Sequence, residues 1–218
     1  MRLASGIQAL ENAGLTEASS PGKGPGRLIS LIGPSGSGKT TLAQAMASSL
    51  QVYCEHHEQN PEMAKLMAGE PGFDAFTSQK WFLDQIGKFI KASSGAVTIL
   101  LDQDPIAITH VYGRLFYDRG VMRAVNYRKL LSLGLSLQRR ISRSRKRTLL
   151  SLTAPAEILR RRVSDRSLIS ASEFGWYDVL EKRFAELTSQ LPVTATIETA
   201  ELTVAEATER VVRAAKLS

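Results

Sequence analysis

Gly33-Pro-Ser-Gly-Ser-Gly-Lys-Thr40 is the stretch that decides how the rest of the chain is read. It fits G-x-x-x-x-G-K-[ST], the pattern of a loop that cradles the phosphates of a nucleoside triphosphate. Gly36 and Gly38 let the backbone curl so that successive N–H groups point inward. Lys39 is placed to reach the β- and γ-phosphates, and the Thr40 hydroxyl to ligate Mg²⁺. Gly33, Ser35, Ser37 and Thr41 complete the expected cradle. A helix expected over 39–50 turns its positive dipole end to the anion. Directly before the loop, residues 27–32 (Arg-Leu-Ile-Ser-Leu-Ile) are apolar and β-rich, and strong helix formers follow it. That strand–loop–helix context separates the motif from a chance glycine-rich turn.

Working outward, residues 1–26 carry a short helical pattern and then a Ser/Pro/Gly run, which reads as a flexible leader. Downstream, β patterns at 51–55, 96–101, 148–152 and 193–197 alternate with helical ones. Pro61 and Pro155 each open a helix. Helices are expected over 73–92, with Phe76, Leu83, Ile86 and Ile90 as an apolar face, and over 105–117. Another is expected over 121–146, with Leu130, Leu133, Leu137 and Ile141 as a core stripe and Gly134 as a weak point. Further helices are expected over 155–166 and 176–190. Thr203 and Glu206 form a capping-box pattern for the last helix. The alternation predicts an α/β fold with a five-stranded, mostly parallel sheet covered on both faces. Ligands then lie beyond the carboxyl ends of the strands. Glu55 and Asp102 each end a strand and fall at the same rim as Lys39.

Composition narrows the classes. The 218 residues suit one domain with a proper core. No apolar run approaches the ~18 residues of a membrane span, and residues 1–20 lack the pattern of a secretory signal. Cys54 is the single cysteine, so no internal disulfide can form and a reducing cytoplasm is the expected setting. The net charge is +7, and residues 139–147 hold six basic residues and no acidic one, so the remainder carries 7 − 6 = +1. Arg139, Arg143 and Arg147 recur every four residues, as on one helical face. Such a face binds polyphosphate, nucleic acid or an acidic partner, or is a solvated helix end. His56-His57 has no accompanying Cys/His cluster and gives no zinc site.

Phosphoryl transfer needs a held triphosphate, a carboxylate that takes the acceptor's proton, and positive charge on the migrating group. Glu55 and Asp102 are both candidates for the carboxylate. Arg162 and Arg166, four apart, would present guanidinium forks on one helical face. The loop 167–175 after them could close over a nucleotide as a lid.

In their order these residues resemble the deoxynucleoside kinases, in particular the bacterial deoxyadenosine/deoxyguanosine kinase type. The resemblance covers about 27–190. It rests on the P-loop, Glu55, Asn60-Pro61, Phe76-Thr-Ser-Gln79, Phe82-Leu83 and Arg162-Val-Ser-Asp-Arg166. It implies a three-layer P-loop kinase fold over 27–218 with a small lid at about 160–175, using ATP and Mg²⁺, the metal held by Thr40 and Asp102. By the same resemblance, Glu55 is the base facing a sugar 5′-hydroxyl. Gln79 binds a nucleobase edge, Tyr112 stacks on the base, and Arg162 and Arg166 are lid arginines. The acceptor would be a small molecule, a nucleoside, and the protein a homodimer. One position departs: the family's Asp/Glu-Arg-Ser reads Asp102-Gln103-Asp104, and Gln103 cannot replace a charged fork. Either Arg114 or Arg119 takes over, or the acceptor is another one: a nucleoside monophosphate, a sugar or another metabolite. A nucleotide-dependent module binding nucleic acid through 139–147 is the remaining alternative.

Overall fold

The computed structural model describes residues 26–93, 97–165 and 174–216. Five parallel strands form one sheet in the order β2-β3-β1-β4-β5. They are β1 (Gly26–Ile32), β2 (Gln51–Tyr53), β3 (Ile99–Leu101), β4 (Arg145–Thr153) and β5 (Ala195–Glu198). In register, Leu28 faces Ile99 on one side of β1, and Leu31 faces Leu150 on the other. β1 is therefore central, and it delivers the glycine-rich loop to the middle of the rim.

Alternation along β1 sends side chains to two layers. Ile29 and Leu31 join Leu150, Leu152 and Ile197 against α1 (Lys39–Met46) and α9 (Val204–Lys216). Leu28, with Ile99 and Leu101, packs on the opposite face against α3 (Ala75–Ala92) and α6 (Ala124–Ser144). Ile32 and Leu149 meet Phe184 of α8 (Phe174–Gln190) on that same face. A strand buried on both sides has no polar face to show, which is why 27–32 reads as a continuous apolar run. The remaining helices are α2 (Pro61–Ala68), α4 (Pro105–Ala107), α5 (Arg114–Asp118) and α7 (Ala156–Ser164).

Three expectations need correction. The segment 105–117 is not one regular helix: a π-helix, Ile108–Gly113, separates α4 from α5. There the Thr109 hydroxyl donates to the carbonyls of Pro105 and Ile106 at 3.1 and 3.2 Å, competing with the regular ladder. Gly134 is a contact rather than a weak point, because a Cβ there would lie 2.4 Å from Thr109 Cγ2. Its absence lets α6 close on the π segment, and it replaces Leu133, which is 39% exposed, in the core stripe.

The basic stretch is divided as well. α6 ends at Ser144, and Arg145 to Arg147 belong to β4, paired with Gly26 to Leu28 of β1. Arg147 is therefore not on a helical face with Arg139 and Arg143. Ladder hydrogen bonds along a central strand outweigh the helical preference of Arg and Lys. Arg145 is buried, and its guanidinium donates to the carbonyls of Val97 and Ser93 at 2.5 and 3.3 Å.

Candidate active site

The loop after β1 has the curled backbone its glycines foreshadow. Gly36 and Gly38 take left-handed φ values of 81° and 95°. Gly36 also packs so closely under α7 that a Cβ would lie 2.8 Å from the Leu159 carbonyl. Among the described residues no side chain caps α1, and no acidic residue stands in its first turn. Its N-terminal N–H groups thus keep the polarity that suits an anion. The Lys39 ammonium donates to the carbonyls of Gly33 and Pro34 at 2.8 and 3.0 Å, folding back on its own loop.

Asp102 links this loop to the neighbouring strands. It follows β3 directly and is 1% exposed. The Thr40 hydroxyl donates to its Oδ2 at 3.0 Å, and the Glu55 N–H to its Oδ1 at 2.9 Å. Its own N–H donates to the Tyr53 carbonyl at 3.1 Å, which ties the end of β2 to the end of β3. Burial raises the Asp102 pKa, opposed by the Thr40 and Glu55 hydrogen bonds. The pairing of a hydroxyl with a carboxylate is a hard-oxygen donor set of the kind Mg²⁺ takes alongside phosphate oxygens.

Glu55 lies two residues beyond β2 with its side chain 11% exposed. Burial, and after it the charge of Asp102, push its carboxyl up to about 8, with Lys39 pulling the other way. His57 was not read as a site residue from the sequence, yet its Nε2 lies 3.4 Å from Glu55 Oε2. Burial and the nearby Lys39 lower the His57 pKa. The two shifts point the same way, each disfavouring the charged form, although the His57 side chain is 53% exposed. The ring stands edge-on to Phe82 of α3 at 5.4 Å, a packing role that no spacing rule would find.

The remaining predicted residues divide into three groups. Gln79 on α3 and Gln103 after β3 are buried, 3% and 1% exposed. Neither Gln103 Oε1 nor its Nε2 has a hydrogen-bond partner among the described residues. Tyr112 stands edge-on to Phe184 at 5.8 Å and packs on the cluster that Phe184 of α8 shares with Ile32 and Leu149. Arg162 clamps main chain: it donates to the Gly36 carbonyl at 3.2 Å, and to the Thr199 hydroxyl and carbonyl at 3.0 and 2.8 Å. Thr199, just past β5, carried no sequence signal, but it joins the loop to α7 through Arg162. These residues border a cavity of ≈ 390 Å³ together with Gly38, Thr41, Asp165 and Val204. Arg166 and residues 167–173 of the expected lid loop 167–175 lie outside the described residues, and the loop's last two positions, Phe174 and Gly175, instead open α8.

The missing arginine has no evident substitute in Arg114, which is bound to Asp118 at 2.8 Å on the surface. Asp104 of the altered triplet is fully buried, caps the Ile106 N–H at 2.8 Å and sits 2.7 Å from Arg147 Nη2. Part of the basic stretch thus neutralises a buried carboxylate under the rim.

Neither a protein-family model nor a curated protein matches the chain. Solved structures do. A deoxyadenosine kinase from M. mycoides with products dCMP and a flexible dCDP bound has a TM-score of 0.64 at 16% identity. That match covers 85% of this chain and 96% of the other. A structure of deoxyadenosine kinase from the same organism with bound dATP gives 0.60 at 18% identity, over 88% and 100% of the two chains. With its all-parallel sheet and helices on both faces, the chain has the P-loop kinase fold that these deoxyadenosine kinases share.

Proposed function

We propose that this chain is a kinase that transfers the γ-phosphoryl group of ATP, with Mg²⁺, to the hydroxyl of a nucleoside or deoxynucleoside. The observation that carries the reading is the continuous link Thr40–Asp102–Glu55. It runs through the Glu55 main-chain N–H, and the Glu55 side chain, 11% exposed, carries a carboxyl pushed up to about 8.

In this reading the loop N–H groups, Lys39 and the start of α1 hold the triphosphate, and the cavity beside Thr41 and Arg162 takes the nucleoside of ATP. Thr40 and Asp102 would hold Mg²⁺, which would supply neutralisation of the triphosphate's charge. Glu55 accepts the acceptor's hydroxyl proton as the new oxygen–phosphorus bond forms and the bond to ADP breaks. A carboxylate with a pKa of about 8 is a stronger proton acceptor than an ordinary one, at the expense of a smaller ionised fraction near pH 7. The amides of Gln79 and Gln103, which both donate and accept, are the neutral groups this reading assigns to the acceptor. Arg162, and Arg166 with it, are the cations on the triphosphate side.

ADP release from ATP with a panel of deoxynucleosides and nucleosides tests the proposal. Turnover with at least one of them is expected, and none with any would end the nucleoside assignment. Gln103 motivates a second reading, the same transfer to another small acceptor such as a nucleoside monophosphate, a sugar or another metabolite. If Asp102→Asn abolishes turnover while Glu55→Gln barely changes it, the second reading holds.

A further inference from the structure

Two adjacent histidines follow Glu55, and the fold sends them in different directions. Residue 56 is close to extended, with φ −109° and ψ 87°, so residues 55 and 57 fall on one side of the chain and residue 56 on the other. His56 Nδ1 lies 3.0 Å from Glu58 Oε1, and both side chains are exposed. His57 instead brings its Nε2 to 3.4 Å from Glu55 Oε2, its ring half-exposed over a carboxyl that is nearly buried. The ring is backed by the buried Phe82 of α3, edge-on at 5.4 Å. The turn that carries it, His57–Gln59, is anchored as well. The Asn60 N–H donates to the His57 carbonyl at 3.1 Å. The fully buried Asn60 side chain donates to the Ser78 carbonyl of α3 at 3.2 Å and accepts from the N–H groups of Glu62 and Met63 at the start of α2. One side chain thus fixes the turn between two helices.

The Glu55 carboxyl, by contrast, is held at little else. Its link to Asp102 comes from the main-chain N–H, and among the described residues no hydrogen bond reaches either carboxyl oxygen. A base must offer one oxygen along one line, and a carboxyl free to rotate offers either. We propose that His57 is a positioning residue for the transfer: its Nε2–H engages Glu55 Oε2 and leaves Oε1 for the proton of the acceptor hydroxyl. The proposal rests on the reading of Glu55 as the base. The 3.4 Å separation is longer than a formed hydrogen bond, as catalytic hydrogen bonds often are before substrate binds. A third group that orients the base is a recurring element of such sites. Other roles fit less well. Packing on Phe82 alone would be served better by a fully apolar ring. A surface ion pair would add little to stability and needs no anchored turn. A metal would need more ligands, and no group of three His, Cys, Asp or Glu lies together among the described residues.

Steady-state kinetics of the full chain, with ATP and an acceptor that turns over, separate the donor from the ring. His57→Gln keeps a donor and loses the ring, whereas His57→Phe keeps the ring and loses the donor. His57→Phe is expected to lower kcat ~10–50-fold with both KM values within about threefold, and His57→Gln to stay within about fivefold of the parent. His56→Ala, the neighbour control, should change neither constant. A second measurement does not depend on turnover. In histidine-labelled protein without nucleotide, nitrogen NMR should find the proton on His57 Nε2, and that resonance should shift in Glu55→Gln while those of His56 stay in place. Should a His57 variant fail to fold, this measurement decides alone. A Phe variant at parent kcat, a Gln variant as slow as the Phe one, a loss confined to KM, or a His57 resonance indifferent to Glu55→Gln would each overturn the inference. No turnover with any acceptor, in a protein whose His57 resonance responds, would end the nucleoside reading instead and leave the His57–Glu55 contact standing.

Discussion

At the carboxyl end of β1, cations are held by main chain: Lys39 by the Gly33 and Pro34 carbonyls, and Arg162 by Gly36, Thr199 and Ala200. A short distance along the rim, at the ends of β2 and β3, the arrangement is reversed. There the Glu55 N–H donates to the Asp102 carboxylate, the Asp102 charge bears on the Glu55 carboxyl, and the buried Gln103 follows Asp102 directly. The loop side is fixed by backbone geometry, so its chemistry is set by a contiguous motif. The carboxylate side is assembled from side chains of separate elements, and its charges perturb one another. Burial and the Asp102 charge therefore raise the Glu55 pKa, while Lys39 alone opposes the shift.

Substitutions on the loop side should have the largest effect on turnover. Lys39→Met is expected to lower the rate of ADP formation by ~10³-fold or more, because the charge that complements the migrating phosphoryl group is removed. A rate within tenfold of the parent would place that charge elsewhere.

On the carboxylate side, Glu55→Gln should cut kcat by ~10²–10³-fold while stabilising the fold at high pH. The sign follows from the raised pKa. An unfolded Glu titrates near 4.5 and the folded one near 8, so between them the folded chain holds the proton that the unfolded chain has released. Stability is thus expected to fall as pH rises from 4.5 toward 8, and the loss disappears in Glu55→Gln. Urea unfolding at pH 8.5 should show the variant more stable by roughly 2–4 kcal/mol, with little difference at pH 4. Equal stabilities at both would contradict a buried, protonated Glu55. In the parent, kcat/KM should climb through an acid limb with a midpoint at about 8, since the base must be ionised to act. A limb near 4.5 would show Glu55 to be an ordinary carboxylate.

Two smaller effects sharpen the contrast. Arg162→Ala deletes the clamp between the loop and the end of β5, and is expected to raise the KM for ATP ~10-fold with a lower melting temperature. Gln103→Leu removes a buried amide that has no hydrogen-bond partner among the described residues, so it should leave the fold equally stable or about 1 kcal/mol more so. In the same variant the KM for the acceptor should rise several-fold. A destabilised variant with an unchanged KM would make Gln103 a packing residue.

Much of this was legible in the chain because it depends on local pattern. The strand–loop–helix unit around Gly33 to Thr40, Pro61 at the start of α2 and the Thr203–Glu206 capping box each involve neighbours in sequence. The alternation of strands and helices set the five-stranded parallel sheet. Where the reading went astray, contacts between distant segments decided. Arg145 to Arg147 look helical by composition, yet β1 recruits them as a strand. Leu133 has the spacing of a core residue, but Gly134 faces inward because Thr109 needs the room.

By itself, then, the sequence determined the phosphate loop, the sheet that carries it and the rim position of Glu55 and Asp102, since short-range backbone preference and strand burial suffice for these. The tertiary structure alone decided which partners meet: Thr40 with Asp102, His57 with Glu55, Arg162 with Thr199, and Arg147 with Asp104. Each pair joins residues from different elements or across a turn, and their charges acquire meaning only when burial removes water from between them.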